Sequence, residues 1–370
     1  MSTQAVGSLP DTATAAGHRF RVPVEQLLPL GALAGALAVG LVLVRATGVP
    51  VREALSAFWD GIAGSPYAVV GSIARGVPLA LVGLGFIVAE RANLTNVGGE
   101  GQICLGGMFA TAASLSWGAG KLPGPLAFLF PLLAGTVAGG AWGAIAGFLK
   151  ARRGSNEVIT TLLLTFIALQ MVYGSVQSVA FLRQPMTDSA TLPESLELPA
   201  ATQLPVLTGD AALPLHIGLV IELLMAAAVG LWLARSAVGL RLRAVGKNEL
   251  ASRRAGLGVE RLVIGALAAS GAFGGLAGAI MIQGDQHYLT SGFSSGFGFD
   301  GLVVGLLGRG SAAAVVGFAL LFGCLRSGGM SMEMSASVPS AVVVVCQGVM
   351  VVAMAVAAAL TRRQAGGRKA

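Results

Sequence analysis

Between Asn93 and Gly107 the chain sets a carboxylate (Glu100), three amides (Asn93, Asn96 and Gln102) and a hydroxyl (Thr95) among glycines, inside a region otherwise apolar enough to lie in a bilayer. An ionisable side chain at membrane depth is expensive and marks a functional site by default. Groups of this kind exchange hydrogen bonds with a polar solute. The competing reading is a polar turn between two helices, with glycines for close packing. A second acid among glycines, Phe299-Asp300-Gly301, recurs in the other half of the chain.

The elements that must position these groups follow from composition. Of the 370 residues 55% are hydrophobic and 11% charged, against about 25% charged in an ordinary globular domain. Spans need about 20 mainly apolar residues each. By that measure we expect an all-α polytopic membrane protein with about ten transmembrane helices. They cover residues 27–44, 73–89, 98–117, 124–149, 158–182, 214–234, 262–283, 301–307, 312–325 and 338–360. The eighth is too short to cross alone, so it borrows 293–300 or is re-entrant. Residues 1–26 and 361–370 read as cytoplasmic tails around a permease domain over 27–360.

Cytoplasmic loops collect Lys and Arg. With both termini inside, most of the 24 basic residues fall in inner segments, while Arg45, Arg52, Arg75, Lys121, Arg183 and Arg326 are left outside. The long loop 183–213 is then extracytoplasmic and acidic through Asp188, Glu194, Glu197 and Asp210. The net charge of +7 therefore speaks of topology, and no basic stripe interleaved with aromatics suggests nucleic acid. Gly135, Gly139, Gly143 and Gly147, and the pairs Gly271/Gly275 and Gly274/Gly278, repeat every fourth residue and read as packing seams. The two halves echo one another weakly, five spans and an acid-glycine cluster each, which is the usual pointer to a transporter's central site.

Several chemistries are excluded or disfavoured. Cys104, Cys324 and Cys346 lie in apolar runs without metal-ligand spacing, so free thiols are expected and no metal or cofactor. No Gly-x-x-x-x-Gly-Lys-Ser/Thr loop occurs, so ATP is not cradled here in the P-loop manner. No nucleophile with a histidine partner suggests an enzyme.

The basic segment 235–261 is expected to carry a short helix over 249–255, capped by Asn248, with Glu249 in its first turn and Gly256 ending it. An interfacial helix held by anionic lipid competes with a knob gripped by a partner subunit. Asn156 and Glu157, after Lys150, Arg152 and Arg153, read as a helix start.

Four stretches in order carry a resemblance: Asn96-Val97-Gly98-Gly99-Glu100-Gly101-Gln102, Asn156-Glu157-Val158-Ile159-Thr160-Thr161-Leu162, Gly246-Lys247-Asn248 with Ala255-Gly256, and Gly298-Phe299-Asp300-Gly301. Together they resemble the nucleoside-type branch of the ABC importer permeases, the broad family of ribose, nucleoside and branched-chain amino acid permeases. Thr165 departs from that pattern, where many relatives carry Asn, and bears on substrate choice. The resemblance implies a permease in the cell membrane that works with a cytosolic ABC ATPase subunit, a second, related permease and an extracytoplasmic substrate-binding lipoprotein. It also implies that Gly246, Lys247, Asn248, Glu249, Arg253, Arg254 and Gly256 couple the permease to the ATPase.

A nucleoside presents hydroxyls, base donors and acceptors, and an aromatic face, which Asn, Gln, Thr and acidic side chains match. The expected pathway residues are Asn96, Glu100, Gln102, Thr161, Thr165, Gln170, Gln283, Asp285, His287 and Asp300. Capping and interhelical hydrogen bonding compete for each. The alternatives are a ribose-type sugar permease and a self-sufficient ion-coupled carrier in which Glu100 and Asp300 titrate.

Overall fold

A computed structural model describes residues 38–187, 191–209, 213 and 215–339, with isolated positions at 35, 341, 342, 344, 345, 348, 349 and 352. The expected first and tenth spans, both tails, Asp188, Asp210 and Cys346 lie wholly or largely outside the described residues.

The described elements are helical: α1 (Val51–Ala63), α2 (Pro66–Glu90), α3 (Gly99–Leu115), α4 (Leu126–Arg153), α5 (Glu157–Gln177), α6 (Gly218–Arg235), α7 (Ala237–Lys247), α8 (Glu249–Arg254), α9 (Val259–Ile280, continued by a π-helical turn, Met281–Gln286), α10 (Phe297–Gly308) and α11 (Ala312–Ala336). Extended pairing among the described residues is confined to isolated bridges within the loop after α5 and from it to Thr290, after α9. Six helices are long and apolar enough to cross a membrane, namely α2, α4, α5, α6, α9 with its π turn, and α11. α3 and α10 are shorter, at 17 and 12 residues.

Several expected boundaries move. The ninth span does not stop at 325 but runs on to Ala336, and the second begins at Pro66, where Ser65 accepts a hydrogen bond from the Ala68 N–H. Arg75 and Arg326 are thus inside helices rather than in outer loops, because a polar partner on a neighbouring element receives each: Ser327 for Arg75 and Asp300 for Arg326. The fifth span ends at Gln177, and the sixth starts at Gly218. α1 and α7 have no counterpart in the expected spans; both are too short to cross.

α2 is the most buried of the spans, and α10, α11, α6, α9 and α1 pack around it. Its cluster of Leu79, Leu84, Phe86 and Ile87 is fully enclosed. α4 and α9 make the most extensive helix pair. A methyl added at Gly139 would overlap the Gly271 carbonyl, and one at Gly275 would overlap the Gly135 carbonyl. The other row of α9 faces α3, with Gly274 against Gln102 and Gly278 against the Ile103 carbonyl. Lipid tails supply no hydrophobic drive for helices to associate, so such close backbone approach is what holds the bundle.

Candidate functional site

Two broken helices meet at mid-bundle. After α2, residues 91–98 turn back along it, and α3 begins beside Val82, about 12 Å inside the end of α2 at ~1.5 Å per residue. From the opposite end, residues 287–296 return from α9 and α10 begins at the same level, where Gly301 packs on Val82. Gly298 is wedged against the backbone of Gly99 and Glu100, so that any side chain there would overlap them.

Glu100 joins the two breaks. Its Oε1 accepts from the Gly296 N–H at 2.8 Å and its Oε2 from the Gly298 N–H at 2.6 Å. The first N–H groups of a helix lack intrahelical acceptors and favour an anion. A side chain in the first turn of α3 therefore caps α10. The carboxylate is buried at 3% exposure.

Asn96, Gln102 and Ser270 form a closed amide cluster beneath it. Asn96 Nδ2 donates to Gln102 Oε1 (2.9 Å) and Ser270 Oγ (2.8 Å), while Asn96 Oδ1 accepts from the Gly98 N–H (2.9 Å). Thr161 Oγ1 accepts from the Val97 N–H (3.2 Å) and donates to the Glu157 carbonyl, and Thr165 donates to the Thr161 carbonyl while its Cα lies against Gly101. These five sequence candidates are thus one constellation, engaged with the protein itself.

Asp300 lies next to the junction and pairs with Arg326 at 2.9 Å. The other candidates are elsewhere. Gln170 is exposed on α5. Gln283 is fully buried in the π turn and donates to the carbonyls of Phe128 (3.0 Å) and Thr202 (2.7 Å), tying the loop after α5 to α4. Asp285 faces the buried His216 at 3.5 Å, and the His287 carbonyl accepts from the Leu198 N–H. Burial pulls the His287 imidazole below its ordinary value, while Asp285 and Glu197 pull it up.

At the far end, Asn248 caps α8 by accepting from the Ala251 N–H (2.9 Å), and Gly256 ends it at φ +79°. Arg253 pairs with Glu249 (2.9 Å) and faces Glu260. Lys247 closes α7 and Arg254 closes α8, both exposed. Gly246 lies on the turn after α2, where a methyl would come within 2.5 Å of the Arg91 carbonyl and 3.0 Å of the Asn93 nitrogen. Arg91 in turn donates to the Gly310 carbonyl (2.7 Å) between α10 and α11. The 246–256 segment thus touches the turn that leads into one break, and that turn holds the base of the other.

Asn156 accepts from the Val158 N–H (2.9 Å) and caps α5, and Lys150 pairs with Glu157 at 2.8 Å. Sequence reasoning missed Arg326, Ser270, Arg91 and Glu222. Glu222 is buried at 2% in α6, with Oε1 unpartnered among the described residues; its signal was a lone acid in an apolar run. Among the described residues no group of three His, Cys, Asp or Glu side chains is placed to hold a metal. What the constellation offers is hydrogen bonding and two helix ends held against each other.

Similarity to known proteins extends over most of the chain. The family described as branched-chain amino acid transport system / permease component matches residues 68–355. The chain is 37% identical over 320 residues to the guanosine ABC transporter permease protein NupP of Bacillus subtilis, covering 86% of this chain and 89% of that one. It is 33% identical over 334 residues to the glucose ABC transporter permease protein TsgB13 of Haloferax volcanii (87% and 85%). It is 29% identical over 323 residues to the nucleoside ABC transporter permease protein NupB of Lactococcus lactis subsp. cremoris (86% and 88%). No solved structure matches significantly. With most of its length matched, the chain belongs to this permease family and is a multi-pass membrane subunit of an ABC importer, whose ATP hydrolysis is performed by a separate chain.

Proposed function

We propose that the chain translocates nucleosides by alternating access, driven by a cytosolic ABC ATPase, and paired with a second, related permease and an extracytoplasmic binding lipoprotein. The carrying observation is mechanical: Gly246 rests on the Arg91–Asn93 turn, and Arg91 holds Gly310, so one cytoplasmic segment is connected to both broken helices. Closure of the ATPases pushes Gly246 to Gly256, with Lys247, Asn248, Glu249, Arg253 and Arg254 forming the contact. The push reaches the α3 and α10 ends joined by Glu100, and the path opens to one side and then the other. In this reading Asn96, Glu100, Gln102, Thr161 and Thr165 shape the junction, while Gln283, Asp285 and His287 brace the outer gate. About ten spans with both termini cytoplasmic complete the arrangement, with the domain over 27–360 and tails at 1–26 and 361–370.

Nucleosides are favoured as cargo because the guanosine and nucleoside permeases are similar over nearly the whole chain. A sugar is the second reading, favoured by the glucose permease at 33% identity. An ion-coupled carrier fits poorly, since Glu100 is committed to two backbone N–H groups and Asp300 to Arg326. Uptake of labelled guanosine, other nucleosides and glucose by cells making the full assembly separates these readings. We expect nucleoside uptake that an ATPase-dead partner abolishes; glucose uptake alone would replace the nucleoside assignment.

A further inference from the structure

The Arg326–Asp300 pair is open to its surroundings, with side chains 19% and 23% exposed. At ~1.5 Å per residue Arg326 lies about 21 Å from Ala312 and about 15 Å from Ala336, near the middle of α11. Ionisable groups at that depth face water or protein, not lipid.

The opening has a local cause. α10 starts only at Phe297 and packs on α11 toward its Ala312 end, where Gly308 meets Val315, while α2 meets Ala319 at Gly76. Ala319 and Phe322, on the same face as Arg326 toward Ala312, are buried, whereas Met330 and Glu333, on that face beyond it, are exposed. The ion pair sits at the boundary.

The pair is also rigidly held and incompletely used. Arg326 Nη2 donates to the Ser295 carbonyl at 2.7 Å, and its guanidinium lies 3.9 Å from the centre of the Phe297 ring. Arg326 Nη1 and Asp300 Oδ1 receive no hydrogen-bond partner among the described residues. A donor and an acceptor side by side match two neighbouring hydroxyls, one accepting from the guanidinium and one donating to the carboxylate. Phe299, the residue before Asp300 on α10, is 41% exposed.

We propose that Arg326 and Asp300 are the mid-membrane contact for the vicinal ribose hydroxyls of the cargo, with Phe299 offering its face to the base. This rests on the nucleoside reading above.

The test uses Phe299→Cys in the complete assembly in its membrane, probed with a membrane-impermeant, sulfonate-bearing methanethiosulfonate. Labelling is measured above that of the unsubstituted chain, which carries Cys104, Cys324 and Cys346. We expect labelling that slows several-fold during nucleoside turnover. Asp300→Asn and Arg326→Lys are expected to lower ribonucleoside uptake by about tenfold, the loss of a charge-assisted hydrogen bond, while the assembly still forms. No labelling means the face is covered, and labelling without protection means the cargo passes elsewhere; either overturns the proposal. Failure of the unsubstituted assembly to import any nucleoside removes the cargo assignment and this contact together, in an assay that does not involve Phe299.

Discussion

Glu100 shows how a membrane-buried charge is made tolerable. Desolvating a carboxylate is offset here by two backbone N–H groups at the start of α10, donors that would otherwise be orphaned in an apolar interior. Glu100→Ala leaves both donors unmet and should destabilise the permease by about 2–4 kcal/mol, seen as a lower thermal midpoint in detergent with uptake lost. Glu100→Gln keeps one carbonyl acceptor and should fall between. The residue's importance was legible from its type and setting. Its partner was not, because Gly296 and Gly298 lie almost two hundred positions away and offer backbone N–H groups, which every sequence has. Arg326 was hidden for a related reason: the hydrophobic run breaks at that residue, whereas the helix runs on through it to Ala336 and its guanidinium pairs with Asp300.

Two of the glycine contacts between elements differ in their consequences. The α4–α9 seam needs bare backbone, so Gly275→Val forces the helices apart and should cost about 1–3 kcal/mol or more, with poor yield of folded protein. Gly265, on the same helix with open space around it, makes the control: Gly265→Ala should be neutral or stabilising by up to ~1 kcal/mol. The glycine periodicity announced the seam, although not that one row of α9 serves α4 and the other α3. Gly246 is the second case. Gly246→Val should lift the cytoplasmic segment from the Arg91–Asn93 turn and reduce uptake by about tenfold or more while the ATPase still binds, as measured by pull-down beside transport. Asn248→Ala removes the cap of α8 at about 1 kcal/mol and should act more weakly in the same direction.

At the scale of the whole molecule, two re-entrant segments from opposite ends bring two helix N-termini together beside α2. The 246–256 segment lies at one end of this joint and the loop after α5 at the other. In vesicles the permease without its ATPase should show no concentrative uptake, with or without a proton gradient; ATPase with ATP, the sister permease and the loaded binding protein should restore it.

Composition and four local motifs were enough to determine a polytopic helical permease that leaves ATP hydrolysis to another chain, because hydrophobic length and short-range spacing are properties of the sequence itself. Tertiary structure decided that Glu100 caps α10, that Asn96 and Gln102 satisfy each other, that Gln283 and Asp285 in the π turn of α9 and His287 just after it pack on the loop after α5, and that Arg326 completes Asp300. Each of these depends on which backbone and side-chain groups meet across long stretches of chain, and in an apolar interior the polar groups are spent on whichever partner the packing brings within reach.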